Sequence, residues 1–259
     1  MNDHTCVSLS AIEQMLTTTQ NQQILNRIIE EKEDRISSYS IASFVRKTTQ
    51  RPDLPALRKM LNERVKPFVD AFLERSSAAP VFVRGIRNSD ELPQNTIAIY
   101  RLDTFDLAAY RRGTIIVGMD LQGTCAEGIL SHEYAHHHQE DCGILKNFDM
   151  QSRSDIDAAR IFGEGHATGV EFTVWRALNP PELPLIEYEQ LAYLSPVAEI
   201  LVNIKLRQEG SASQPHLTSA ILSDEKRFCL GHALFAIAEA KHGPGIYAEA
   251  LRNPRVVLE

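Results

Sequence analysis

Hydrophobic and polar positions along the chain change period several times. Between about Ser10 and Ser37, apolar residues fall at Ile12, Met15 and Leu16, then at Ile24, Leu25, Ile28 and Ile29. That three-and-four spacing predicts a helix with one buried face. Pro52 and Pro55 interrupt it. A second helix is expected from Pro55 to about Arg75, with Pro55 tolerated in the first turn and Pro67 placed to kink or divide it. The texture then shifts to "APVFVRGI" (79–86), "TIAIYRL" (96–102) and "GTIIVGMDL" (113–121). These stretches are short, rich in β-branched residues and bounded by Gly, Pro, Asn or Asp, so they predict strands. Helical spacing returns from about Cys125 to Asp141, with Gly143 as a stop. Another helix is predicted after Ser154, where "SDID" offers a capping serine with Asp157 three residues on. It should end near Leu178, before Asn179-Pro180-Pro181. Residues 179–196 read as a Pro-punctuated loop holding a single helical turn. Helices near 196–209 and 218–241 follow, then a short one near 245–252.

The order is helices, a small sheet, then more helices. It predicts a mostly helical α+β fold with a small antiparallel or mixed sheet, not alternating βαβ units. The expected partition is an N-terminal helical region, 1–78, and a second domain, 79–259. The latter divides into a strand-bearing part, 79–143, and a helical part, 144–259. Composition adds limits. At 259 residues, 43% apolar and 24% charged, the chain suits a globular protein with a sizeable core. A net charge of −7 argues against nucleic-acid partners. Arginines clustered between Arg84 and Arg112 read as a solvated basic edge. No apolar run reaches the roughly 18 residues of a membrane span, and the first residues lack a signal-peptide pattern. The expectation is a cytoplasmic chain with no membrane partner. Cys6, Cys125, Cys142 and Cys229 form no C-x-x-C pair, so reduced thiols are expected.

The candidate chemistry lies in "GILSHEYAHHHQED", 128–141. On a helix, His132 and His136 lie one above the other and can meet a single metal ion. Glu133, rotated by about 100°, is poorly placed as a ligand but can reach a water at that ion. This is the H-E-x-x-H arrangement of two zinc ligands and a general base. Ala126, Leu130 and Tyr134 should form the apolar stripe that docks the helix on a core. His137 is expected to pack or support, His138 to face solvent and Glu140 to be a surface carboxylate.

A catalytic zinc needs a third protein ligand and one open position. Cys142, six residues past His136, would take the place of a metzincin histidine, but Gln139 replaces the glycine of that pattern. The stronger source is "FGEGHATGVEF", 162–172, where Glu164 shares a helix face with Asp157 and Glu171. Gly163, Gly165 and Gly169 cost helix stability, about 1 kcal/mol each against alanine, and so imply that something approaches closely. His166 lies on another face and is the weaker ligand candidate.

"HEYAH" at 132–136 and "EGHATGVE" at 164–171 resemble the gluzincin clan of zinc metallopeptidases. "GHALFAIAEAKHGPGIYAEALRNP", 231–254, is similar to the closing helices of minimal gluzincins, so the resemblance covers roughly residues 97–252. It implies a zincin-like core and a peptide or protein substrate. It also implies zinc held by His132, His136 and Glu164, with Glu133 as general base. The family's Asp four residues past the third ligand is Thr168 here. The resemblance further implies an oxyanion-stabilising donor from the later helices: His232 first, with Tyr193 and Tyr247 as alternatives. Two other readings remain at this stage. Two histidines and a carboxylate also suit Fe(II) and oxygen chemistry on peptides, and a peptidase-like scaffold can serve as a non-catalytic binding protein.

Overall fold

The computed structural model describes residues 7–40, 53–77, 81–86, 100–102, 106–111, 113–118, 126–148, 150, 152–210 and 222–259. The fold is mostly helical with one small sheet, the α+β class that the hydrophobic pattern predicts. The chain divides into two compact units, each assembled from separated segments. One unit comprises 1–40, 143–169 and 187–259; the other comprises 41–142 and 170–186. Residues 7–40 and 53–77, which the sequence groups in one N-terminal region, therefore belong to different units.

In the unit built from 41–142 and 170–186, α3 (Leu54–Met60), a π-helical turn (Leu61–Val65) and α4 (Lys66–Phe72) form one helical run. The expected division at Pro67 takes a specific form. The Lys66 N–H donates to the carbonyl of Leu61, five residues back, just before the proline that has no N–H to give. The sheet comprises β1 (Phe82–Ile86), β2 (Tyr100–Leu102), β3 (Asp106–Arg111) and β4 (Thr114–Gly118), in the order β1-β4-β3-β2. It is mixed: β1 runs parallel to β4, while β3 is antiparallel to both β4 and β2. Strand β4 is interior, and Ile115, Ile116 and Val117 are buried whichever face they point to. That explains its unbroken apolar run. α5 (Ala126–Asp141) packs on β3, β4, α4 and the π turn. It ends at Gly143, as expected.

In the other unit, the single N-terminal helix expected over 10–37 is two helices, α1 (Leu9–Thr17) and α2 (Thr19–Ser37). Thr18 is extended and its hydroxyl accepts the N–H of Asn21, so this residue ends one helix and caps the next. α6 (Arg153–Leu178) ends at the predicted residue but starts earlier. Ser152, not Ser154, caps it by accepting the N–H of Asp155 at 3.1 Å. The expected loop over 179–196 is a 3₁₀ turn, Pro180–Glu182, which belongs to the sheet-bearing unit, followed at once by α7 (Leu183–Gly210), whose residues from 187 on belong to this one. Pro184 sits in the first turn of α7, where proline is tolerated, and Pro196 is carried inside the helix. α8 (Asp224–His242) begins at a Ser223 cap, and α9 (Ile246–Ala250) precedes a final 3₁₀ turn, Pro254–Leu258. Helices α1 and α2 pack on α8, which in turn meets α9.

Phe148, Phe162, Phe235 and Tyr247 form a chain of ring contacts 5.3–5.5 Å apart in this unit's core. At Gly165 and Gly231 the α6–α8 crossing brings backbone against backbone. A Cβ on Gly165 would sit 2.2 Å from the carbonyl oxygen of Gly231, and one on Gly231 would sit 2.2 Å from that of Ile161. Of the sequence's glycine cluster, Gly165 thus serves backbone-to-backbone packing and Gly169 makes room for the Tyr247 ring.

Two buried ion pairs cross the same unit. Lys32 donates to Glu187 at 2.7 Å and to Gln190 at 2.6 Å. Arg227 holds Asp157 at 2.8 and 3.0 Å. Arg227→Met should strand the Asp157 carboxylate and destabilise the protein by about 3–5 kcal/mol, read as a lower urea midpoint. The double exchange Asp157→Leu/Arg227→Met should cost much less, because no buried charge is left alone.

Candidate metal centre

Helix α5 is buried from Ala126 to Gln139 on every side. The predicted stripe of Ala126, Leu130 and Tyr134 is fully buried, but so is the face opposite it. A helix so placed cannot carry polar groups without local partners, and its histidines each have one. His137 Nε2 lies 2.9 Å from the Ser77 hydroxyl, and its ring stacks on Tyr134. It is the packed histidine that the spacing predicts.

His138 corrects the sequence reading. It is not solvated but fully buried, with Nε2 2.9 Å from Asp70. Burial pushes its imidazole below the usual range despite the opposing pull of Asp70, so the neutral ring donates its Nε2–H to the carboxylate. The Tyr134 hydroxyl donates to the same Asp70 oxygen at 2.8 Å. Burial, then this hydrogen bond, raises its pKa well above the usual phenol range. Tyr134, His137 and His138 are thereby tied toward α4 and the segment after it. Arg64, in the π turn, bonds both Glu127 at the start of α5 and the Leu178 carbonyl at the end of α6.

His132 and His136 turn the other way. His132 Nδ1 lies 3.1 Å from Glu171 Oε2, a pair that is essentially unexposed. His136 Nδ1 lies 3.0 Å from Gln139 Oε1. Acceptors on both Nδ1 atoms leave the two Nε2 atoms facing each other at 3.2 Å. Glu164 rides α6 two turns before Glu171, on the same face. One ligand atom from each of His132, His136 and Glu164 lies within 4.8 Å of the other two. Two nitrogens at ~2.0–2.1 Å from a tetrahedral zinc stand about 3.4 Å apart, close to the separation seen. The donor set therefore fits a divalent ion without rearrangement of the imidazoles. Glu133, adjacent to His132, is fully buried.

No other candidate ligand among the described residues joins this three-residue cluster. His166 is buried with Nε2 3.1 Å from the Tyr247 carbonyl, a packing role in its own unit. The Tyr247 hydroxyl donates to Glu239 at 3.0 Å. His232 is buried on α8 beside Gly231, edge-on to the Tyr193 ring at 6.1 Å. Glu140 is exposed, as expected. Cys142 and Cys229 are free thiols; burial pushes the first up and the second to about 11, so neither is a ready thiolate. Cys6 and Cys125 lie outside the described residues. So do the predicted strand residues 96–99 and the first residues of the predicted 218–241 helix.

Two supporting residues escaped the sequence reading. Glu171 stands seven positions past Glu164 and is the acceptor at Nδ1 of His132. Gln139, noted only as a missing glycine, is the acceptor for His136. Its signal was its position, three residues past a ligand on the same helix.

No family model, no curated protein and no solved structure matches this chain. Its chemistry is therefore read from its own geometry. Among the described residues, no helix is long and apolar enough to cross a membrane.

Proposed function

We propose that this chain is a zinc-dependent peptidase that hydrolyses an amide bond in a peptide or protein, built on a zincin-like core. One observation carries the reading: two histidine Nε2 atoms face each other beside Glu164, each with its Nδ1 at a dedicated acceptor. Two lone pairs so placed repel unless a cation or a shared proton lies between them. A bound divalent ion supplies Lewis acidity, toward water and toward a carbonyl oxygen. His132, His136 and Glu164 would hold it, and Glu171 and Gln139 orient the imidazoles. Glu133 accepts the proton of the attacking water and returns it to the leaving amine. His232 is assigned the donor that stabilises the oxyanion, on the strength of the gluzincin resemblance at 231–254. The free Cys142 and Cys229 support a reducing, cytoplasmic setting.

Elemental analysis of protein purified without chelator tests the centre. Close to one zinc per chain is expected, falling to background in Glu164→Gln. Peptide-library cleavage should stop on chelation and return with zinc. A chain that retains no divalent ion, or one that Glu164→Gln leaves bound, sinks the proposal; iron with oxygen consumption replaces it with the oxygenase reading.

A further inference from the structure

We propose that Gln139 selects the metal-competent tautomer of His136, an inference that rests on the metal-centre reading above. A neutral imidazole carries one N–H and offers one lone pair. At His132 a carboxylate oxygen sets the choice: Glu171 Oε2 lies 3.1 Å from Nδ1 and accepts there, so Nδ1 carries the hydrogen and Nε2 is an acceptor. His136 has an acceptor at each nitrogen, Gln139 Oε1 at 3.0 Å from Nδ1 and His132 Nε2 at 3.2 Å from Nε2. One proton must serve one of them.

If it sits on Nε2, His136 donates to His132. Both inward lone pairs are consumed, and the pair is closed to a cation. If it sits on Nδ1, His136 donates to the amide, and both Nε2 lone pairs converge toward Glu164. Gln139 is therefore what holds the centre open. It is only 6% exposed, so its hydrogen bond acts in a low-dielectric setting where such bonds count for more. Three residues along the same helix, it projects beside the ring it holds. An amide also adds no charge to a site that already has Glu164 and Glu171, two carboxylates for one dication.

The test uses the full chain, ¹⁵N-labelled, stripped of metal and then titrated with zinc. Ring-nitrogen correlation spectra of the metal-free wild type should show His132 and His136 both protonated at Nδ1. Gln139→Met keeps the shape and removes the acceptor. It should move the His136 proton to Nε2 and weaken zinc binding about 10–100-fold, measured against a chromophoric chelator. Gln139→Glu restores an acceptor oxygen and should return both readouts to wild type or beyond. Glu140→Ala, on the same helix with an exposed side chain, should leave both unchanged. The inference is overturned if Gln139→Met keeps the wild-type tautomer and affinity, or if Gln139→Glu behaves like Gln139→Met, which would mark Gln139 as packing. A wild type with no zinc affinity overturns this inference and the peptidase reading together; normal wild-type affinity with an unaltered Gln139→Met overturns this one alone.

Discussion

Glu133→Gln should lower peptide hydrolysis by roughly 10²–10⁴-fold while zinc stays bound. The substitution keeps the shape of a fully buried side chain and leaves His132, His136 and Glu164 in place. What it removes is a carboxylate able to take a proton from water and hand it on. The loss should appear in kcat/KM for the best library peptide, with zinc per chain equal to wild type in the same preparation. If the variant loses zinc as well, Glu133 has a structural part in the centre. If it retains hydrolysis, the base lies elsewhere and the peptidase assignment fails.

Gly231→Ala is expected to destabilise the protein by about 3 kcal/mol or more, above the usual cost of an overpacked methyl. The reason is what the new Cβ meets: the Ile161 carbonyl oxygen at 2.2 Å, then the Gly165 nitrogen at 2.7 Å and its Cα at 2.8 Å. All three are backbone atoms, so no rotamer change relieves the contact and α6 and α8 must move apart. Gly165→Ala meets the same crossing from the other side, 2.2 Å from the Gly231 oxygen. Once one alanine has separated the helices the second should cost little, so the double variant should fall well short of the sum. Urea unfolding at constant slope measures all three. A wild-type midpoint for Gly231→Ala would show that the glycines do not set this approach.

What was legible in the sequence followed the strength of the local signal. Helix α5 and the end of α6 matched expectation because Gly143 and Asn179-Pro180-Pro181 are strong stops. The H-E-x-x-H spacing brings His132 and His136 together through helix periodicity, while Glu164 joins them from another helix, α6. Strand β3 was missed because "DLAAYR" has no β-branched residue, and its pairing is set by the neighbours β2 and β4. The same topology puts β4, from "GTIIVGMDL", inside the sheet between β1 and β3, a position that its strand-like sequence does not reveal. The start of α7 was hidden because Pro184 and Pro196 read as breakers, and only three-dimensional context shows where a missing N–H is tolerated. His138 was misread for a related reason. A helical wheel assumes one wet face, and α5 has none. The partner that makes its burial tolerable, Asp70, lies 68 residues away. Glu171 sits at an offset that no short pattern anticipates.

The burial of α5 means that the inheritable signature of this centre is longer than five letters. A chain that copied only H-E-x-x-H and the two histidines after it would carry four imidazoles into a dry interior with nothing to sort them. Asp70, Ser77, Gln139 and Glu171 do the sorting, two drawing histidines away and two aiming them inward. Descendants of this chain should therefore change at those four positions in step with the histidines, and grafting the centre onto another scaffold requires all of them.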